Sequence, residues 1–360
     1  MVWGMAATMK ILFLDSYYEN VVEHLMGLPG APEPDAERWT KTKWLNEQCH
    51  GTADYWERAV KALGHEAATL VLNAPWNNPR DLIAEQYFDE QNRRFEPDVM
   101  VYQNVADRSG YYGEPACKHV AFCSYAANDV DLRGWDAVFT SFPHHVDRIR
   151  NAGSPCHYLQ LAFDPIAVER TKAAQPMIPG FWGDVPTPIQ RDLWLTFVGG
   201  LGYEHLWKKG TVDIADASSV FRDRFKWWGY GPTVRPSLKD TYQGRAWGKK
   251  YYEVLLRSKI TLNRHGEIAG LYANNMRLYE ATGCGCCLVT NAAVNMARIL
   301  RPMDECVVYR DHTDLAKQLW ILQNDDDYRK EVAAAGQKRC LAEHTYAHRA
   351  KEFLTILEKL

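Results

Sequence analysis

The sequence predicts an α/β protein built from two doubly wound, Rossmann-like domains with a cleft between them. Three observations lead there. The chain has 360 residues, whereas a single hydrophobic core stops growing at roughly 250–300. Short apolar runs alternate with stretches of helical spacing along most of the chain. That alternation is the pattern of parallel strands joined by crossover helices and covered on both faces. Several of the apolar runs end in glycine or polar residues, the chemistry of the strand-to-helix turns where such sheets bind ligands. Hydrophobic residues at 46% and charged residues at 24% fit an ordinary globular protein.

Taken in order, KILFLD (10–15) is a strand that breaks at Ser16. Residues 29–38 are rich in proline and acid and form a loop. DYWERAVKAL (54–63) has helical spacing and stops at Gly64, and 66–72 follows as a strand. A helix is expected over 80–94. Strands are expected at 98–103, 119–124, 136–140 and 157–161, with a helix over 144–151. These make a first domain over residues 1–170. Residues 171–192 are proline-rich with little periodicity and read as a linker. A second domain covers 193–343, with strands at 194–198, 225–228, 259–263, 286–290 and 306–309. Its helices fit 249–257, 313–322 and 328–341. A terminal helix follows the break at His344 and Thr345 and closes the chain over 344–360.

Composition excludes several classes. A net charge of −3 supplies no basic face for nucleic acid or anionic membrane. No apolar run approaches the ~20 residues of a membrane span. The opening MVWGMAATMK lacks a long apolar core followed by a cleavage site, so no signal peptide is expected and the fold starts near Met9. The nine cysteines are an odd, scattered set, free thiols rather than a disulfide framework. Cys284, Cys286 and Cys287 crowd together, but as part of a buried turn, and no metal site is expected. The chain reads as cytoplasmic.

The most informative stretch is ANNMRLYEATGCGCCLVTN, residues 273–291. Asn274 or Asn275 suits an N-cap, because a short amide accepts the orphan N–H groups of a first turn. Met276, Leu278, Tyr279 and Ala281 then suit a short helix, Gly283 and Gly285 end it, and 286–290 is a buried strand. A helix start dressed with asparagine and arginine is an anion site, and Arg277 adds a forked donor matched to phosphate. Glu280 shares its helical face at a spacing of three, and the plain reading of that spacing is an Arg277–Glu280 ion pair.

NNMRLYEATGCGCCLVTN, a later strand ending in Tyr309, and EHTYAHRAKEFL together resemble the C-terminal half of a GT-B glycosyltransferase. The resemblance points in particular to the branch with the spore-maturation CgeB-like proteins, among the family 1–4-like enzymes. It is continuous from about residue 195 to 360 and looser before. Its most specific strings are N-x-R-x-x-E-A-x-G-C-G and H-T-Y-x-x-R. The resemblance implies a nucleotide-diphosphate sugar donor bound by the second domain, an acceptor on the first, no cofactor, and a terminal helix crossing back to the first domain. Many GT-B enzymes carry two glutamates eight positions apart, the second holding the ribose hydroxyls. Glu280 matches the second, and the first position is Tyr272.

The strand ends supply the remaining candidates. Gly199, Gly200 and Gly202 follow one strand, with Lys208 and Lys209 beyond to reach a diphosphate. Gly229 and Gly231 close a second strand, and Asn263, Arg264 and His265 close a third. An inverting transfer needs a general base on the first domain. Asp15, Asp54, His144 and Asp164 are placed for it, with Asp15 and His144 taken as the catalytic candidates. Asp129 and Asp131 form a D-x-D string without the context that would make it a metal site. The expected activity is metal-independent transfer of a sugar from a nucleotide-diphosphate sugar to a hydroxyl of a saccharide, glycan or other acceptor. A GT-B sugar-nucleotide epimerase and a non-catalytic nucleotide-sugar-binding protein of surface or spore assembly remain as alternatives.

Overall fold

The computed structural model describes residues 8–18, 20–76, 95–103, 117–124, 132–178, 185–201, 209–229 and 236–360. Contacts divide it into two units: one runs to Gln160 and includes Tyr346–Leu360, and the other is Leu161–Thr345.

In the first unit the elements run β1 (Lys10–Asp15), α1 (Val21–Met26), α2 (Arg38–Glu47), α3 (Tyr55–Lys61), β2 (Glu66–Val71) and β3 (Val99–Gln103). They continue with β4 (Lys118–Phe122), β5 (Ala137–Thr140), α4 (Val146–Asn151) and β6 (Cys156–Tyr158). The six strands form one sheet in the order β2-β1-β3-β4-β5-β6. The ladders are all parallel, with Leu12 opposite Ala68 and Met100, and Val138 opposite Ala121 and Cys156. These strands read as apolar runs because both faces are covered. One face packs Leu12, Leu14, Leu70, Tyr102 and Val138. Across the other face lies α12 (Tyr346–Leu357). The ring of its Phe353 lies 6.2 Å from Phe13, 5.4 Å from Trp56, 5.6 Å from Phe122 and 5.0 Å from Phe139. Burying that aromatic group, with the Tyr346 ring tilted against that of Tyr55 at 5.3 Å, holds the chain's last helix on its first sheet, since aromatic pairs add to plain area burial.

The second unit contains α5 (Ile166–Ala173), the short antiparallel pair β7 (Met177–Ile178) and β8 (Val185–Pro186), β9 (Leu193–Val198), α6 (Lys209–Val220) and β10 (Phe225–Trp228). After these come α7 (Lys249–Arg257), β11 (Ser258–Asn263), α8 (Arg277–Gly283), β12 (Cys287–Asn291) and α9 (Met296–Ile299). The unit ends with β13 (Val307–Tyr309), α10 (His312–Asn324) and α11 (Asp326–Glu343). Its parallel sheet has the order β10-β9-β11-β12-β13, over a core that includes Phe197, Trp227, Ile260, Leu262 and Val289. The break after α11 is pinned by His344, whose Nε2 donates to the Ile299 carbonyl at 2.9 Å and whose own carbonyl accepts from Phe163 N at 3.0 Å.

The strands lie within a residue or two of where the apolar runs place them, except that β6 ends three residues short of 161 and the two-residue β7 and β8 fall in the expected linker. Helices α1 and α2 carry no such signal; RWTKTKWLNE has too few apolar positions to draw a stripe. α5 occupies residues expected to be domain end and linker and packs against α7. The expected helix over 80–94 and the Asp129–Asp131 string lie outside the described residues. Gly285, at φ +75°, makes the left-handed turn expected between α8 and β12. Gly283 does not end α8 by conformation; it is the last helical residue, small because the Phe163 ring packs against it.

Candidate functional site

The residues singled out in the second unit lie at the carboxyl ends of β9, β10 and β11 and on α8, the edge where open parallel sheets bind ligands. The two glycine turns meet through the backbone. Gly199 N donates to the Trp228 carbonyl at 2.8 Å and Gly229 N to the Gly244 carbonyl at 3.0 Å. A side chain on Gly229 would run into the Gly199 carbonyl, and one on Gly199 would strike the Phe197 ring at 2.7 Å. Gly199 thereby makes room for Phe197, and Gly200 beside it is buried. Lys208 and Gly202 lie outside the described residues.

Asn263, at the end of β11, is wholly buried. Its amide donates to Thr290 Oγ1 at 2.9 Å and exchanges hydrogen bonds with the Asn275 amide at 3.2 and 2.6 Å. Asn275 Nδ2 also donates to the Arg264 carbonyl at 3.0 Å. This corrects the capping expectation. The residue ahead of α8 is Met276, with no side-chain cap. The first-turn N–H groups of Leu278, Tyr279 and Glu280 go to the backbone carbonyls of Asn275 and Met276. The two asparagines fasten the end of β11 to the start of α8.

Arg264 and Arg277 are both half-buried, and each has an enclosed Nε without a hydrogen-bond partner. Neither forms an ion pair among the described residues. Burial pulls the Arg264 pKa down, and the nearby charge of Arg277 pulls in the same direction. The Arg277 guanidinium lies 5.5 Å from the Phe197 ring centre and 6.0 Å from that of Tyr251, in the range of cation–π attraction. The charges of Glu267 and Tyr309 act on Arg264 in the opposite sense to burial, and that of Arg277 acts on Glu280, although neither arginine is ion-paired among the described residues.

Glu280 is buried, at 7% exposure. The ion pair expected with Arg277 does not form; Glu280 Oε2 instead accepts from Tyr251 Oη at 2.7 Å and Oε1 from Tyr252 Oη at 3.2 Å. Burial raises its pKa, opposed by the Tyr251 hydrogen bond and the Arg277 charge. His265 donates its backbone N–H to Asn291 Oδ1 at 2.8 Å and its Nε2–H to the Asn291 carbonyl at 3.1 Å, while Nδ1 is enclosed without a partner. Burial lowers its pKa to about 4, so the ring is neutral. Tyr272 is half-buried in the loop between β11 and α8.

In the first unit, Asp15 ends β1 almost fully buried, accepting from Ser16 N at 2.8 Å and Thr52 Oγ1 at 2.8 Å. His144 is exposed on a short turn after β5, its ring 4.3 Å from that of His145. His145 is the buried member, with Nδ1 unpartnered and its pKa lowered to about 4 chiefly by burial. Spacing did not separate these two histidines. Phe197, Tyr251 and Tyr252 were likewise missed, since inside apolar runs they are indistinguishable from core. No group of three or more metal-ligating side chains is found among the described residues, and Cys286 and Cys287 are inert thiols pushed up to about 11 and about 12 by burial.

Residues 212–355 match the family model described as glycosyl transferase-like. Solved structures align over nearly the whole chain. The sucrose-phosphate synthase of Thermosynechococcus elongatus is 11% identical with 98% of each chain covered and a TM-score of 0.55. Anabaena HepE in complex with UDP and glucose is 12% identical, with 98% of this chain and 100% of that one covered and a TM-score of 0.55. A glycosyltransferase from Rickettsia africae is 11% identical, with 98% and 99% covered and a TM-score of 0.53. No curated protein matches the sequence. The fold is GT-B, two parallel-sheet Rossmann-like units of six and five strands, and the glycosyl transferase-like match spans most of the second unit with part of the terminal helix.

Proposed function

We propose that the protein is a glycosyltransferase that moves a sugar from a nucleotide-diphosphate sugar to an acceptor hydroxyl, with arginine rather than metal carrying the leaving diphosphate. The observation that carries this reading is the Arg264–Arg277 pair, two half-buried guanidiniums that form no ion pair among the described residues, at the carboxyl edge of the second sheet. A glycosyl transfer needs fixed positive charge where the departing diphosphate accumulates negative charge. Two forked donors supply it, and their mutual repulsion is relieved only when the anion arrives. In this reading Glu280 accepts from the ribose hydroxyls through the lone pairs that the tyrosines leave, since a carboxylate offers about four. His265 and the glycine turns shape the pocket wall, and Asn263 and Asn275 hold the arginines in place.

The match to a glycosyl transferase-like model over 212–355 supports the reaction class. The Anabaena protein is described with UDP-glucose and with UDP, which makes uridine nucleotides the first donors to test. On the first unit, the exposed His144 is the base candidate that an acceptor proton can reach. Asp15 holds the loop around Thr52. The test is a thermal-shift panel of UDP-, GDP-, ADP-, TDP- and CMP-sugars. A bound donor at 100 times its dissociation constant stabilises by ~2.7 kcal/mol. No shift with any member overturns the reading, and donor turnover without an acceptor would favour epimerisation.

A further inference from the structure

The i,i+3 spacing of Arg277 and Glu280 on α8 should bring guanidinium and carboxylate together, yet the two are kept apart. Tyr251, from α7, stands between them. Its hydroxyl donates to Glu280 Oε2 at 2.7 Å, while its ring lies 6.0 Å from the guanidinium centre. Phe197 holds Arg277 from a second ring, at 5.5 Å. Tyr252, next along α7, takes the other carboxylate oxygen at 3.2 Å, so Glu280 is turned toward α7 by both oxygens.

A direct salt bridge here would be poorly screened, because Glu280 is 7% exposed, and it would fill the guanidinium fork with a carboxylate. An arginine so paired is a weak phosphate ligand, as the incoming anion must first displace the internal one. The interposed hydroxyl avoids this. Tyr251 holds the carboxylate through its hydroxyl and flanks the guanidinium with its ring.

We propose that Tyr251 is the positioning residue of this site, a hydroxyl spacer that keeps Arg277 from closing on Glu280 and so holds it ready for the donor's diphosphate. This rests on the reading of Arg264 and Arg277 as the diphosphate site, and it adds a residue that touches no substrate. It also assigns the two α7 tyrosines different tasks. Tyr252 only anchors the carboxylate, whereas Tyr251 separates two charges.

The test uses the full chain with Tyr251→Phe, which keeps the ring and removes the spacer. Calorimetry with pyrophosphate, UDP and uridine reads binding. Pyrophosphate and UDP affinity should fall about tenfold, the weight of one charge-assisted hydrogen bond, with uridine affected far less. Adding Glu280→Gln to Tyr251→Phe should restore pyrophosphate binding, because a neutral amide does not capture the guanidinium. A structural role for Tyr251 gives no such rescue. A second measurement needs no ligand: a double-mutant cycle of Arg277→Ala and Glu280→Gln on the melting temperature, run with Tyr251 and with Phe at that position. Coupling between the two residues should be small with Tyr251 and appear with Phe. Absence of coupling in the Phe background, or of rescue by Glu280→Gln, overturns the spacer. If coupling appears but the wild type binds none of the three ligands, the spacer stands and the diphosphate reading fails.

Discussion

Replacing Arg277 by alanine separates ligand binding from folding more cleanly than any other change at this site. In the free protein the side chain contributes two cation–π contacts, with Phe197 at 5.5 Å and Tyr251 at 6.0 Å, worth ~0.5–1 kcal/mol each at partly exposed positions. Against that stand an enclosed Nε without a partner and repulsion with Arg264, both relieved by truncation. The opposing contributions are of similar size, so the net change in folding stability should stay within ~1 kcal/mol. In the complex nothing offsets the loss. One charge-assisted donor to phosphate is worth ~1.5–3 kcal/mol, which is roughly 10- to 150-fold in dissociation constant. Titration calorimetry with UDP and pyrophosphate on Arg277→Ala measures it, with circular dichroism melts as the folding control. Both ligands should weaken together, because the lost contact is to phosphate. A folded variant whose affinities stay within about twofold, below the smallest loss such a bond implies, would refute the argument and leave Arg277 a packing residue.

Two further predictions concern what holds the arginines in place. Asn263→Ala removes the partner of the Asn275 amide and the Thr290 hydroxyl and should destabilise by roughly 2 kcal/mol or more, since enclosed groups are left unsatisfied; a urea midpoint unmoved at constant slope would contradict this. For His265 the sign follows from its pKa, lowered by burial from 6.5 to about 4. Above 6.5 the ring is neutral folded and unfolded and its contribution is complete. As pH falls from 6.5 toward 4 the unfolded chain takes the proton first, and stability is lost. Between pH 7 and pH 5 that is about 2 kcal/mol from this residue, seen as a difference in urea stability between wild type and His265→Gln, which should be flatter with pH. His50 and His145 are also lowered to about 4, so only the difference isolates His265; parallel profiles for the two proteins would count against it.

The two parallel sheets were legible because their strands are buried on both faces and therefore print as continuous apolar runs, KILFLD and CLVTN among them. Strand ends, and with them Asn263, Arg264 and His265, follow once those runs are placed, and Arg277 and Glu280 follow from the short helix before CLVTN. The partner each polar side chain takes was not legible. Asn275 has the composition of a cap, and only the crossing of β11 under the start of α8 gives it to Asn263 instead. Arg277 and Glu280 have the spacing of an ion pair, and only the approach of α7 puts a tyrosine hydroxyl between them. KKYYEVLLR carries no mark that its two adjacent tyrosines differ from core aromatics. Local spacing fixes which groups can meet along one element, at a few tenths of a kcal/mol for an exposed helical pair. A buried carboxylate with two tyrosine donors is governed by larger desolvation energies, and those depend on elements that the intervening sequence does not order. The chemistry of a site can therefore be listed from the chain, while its pairing depends on packing: here a neighbouring helix takes up Glu280 through two tyrosine hydroxyls, and Arg277 is left without an ion pair among the described residues.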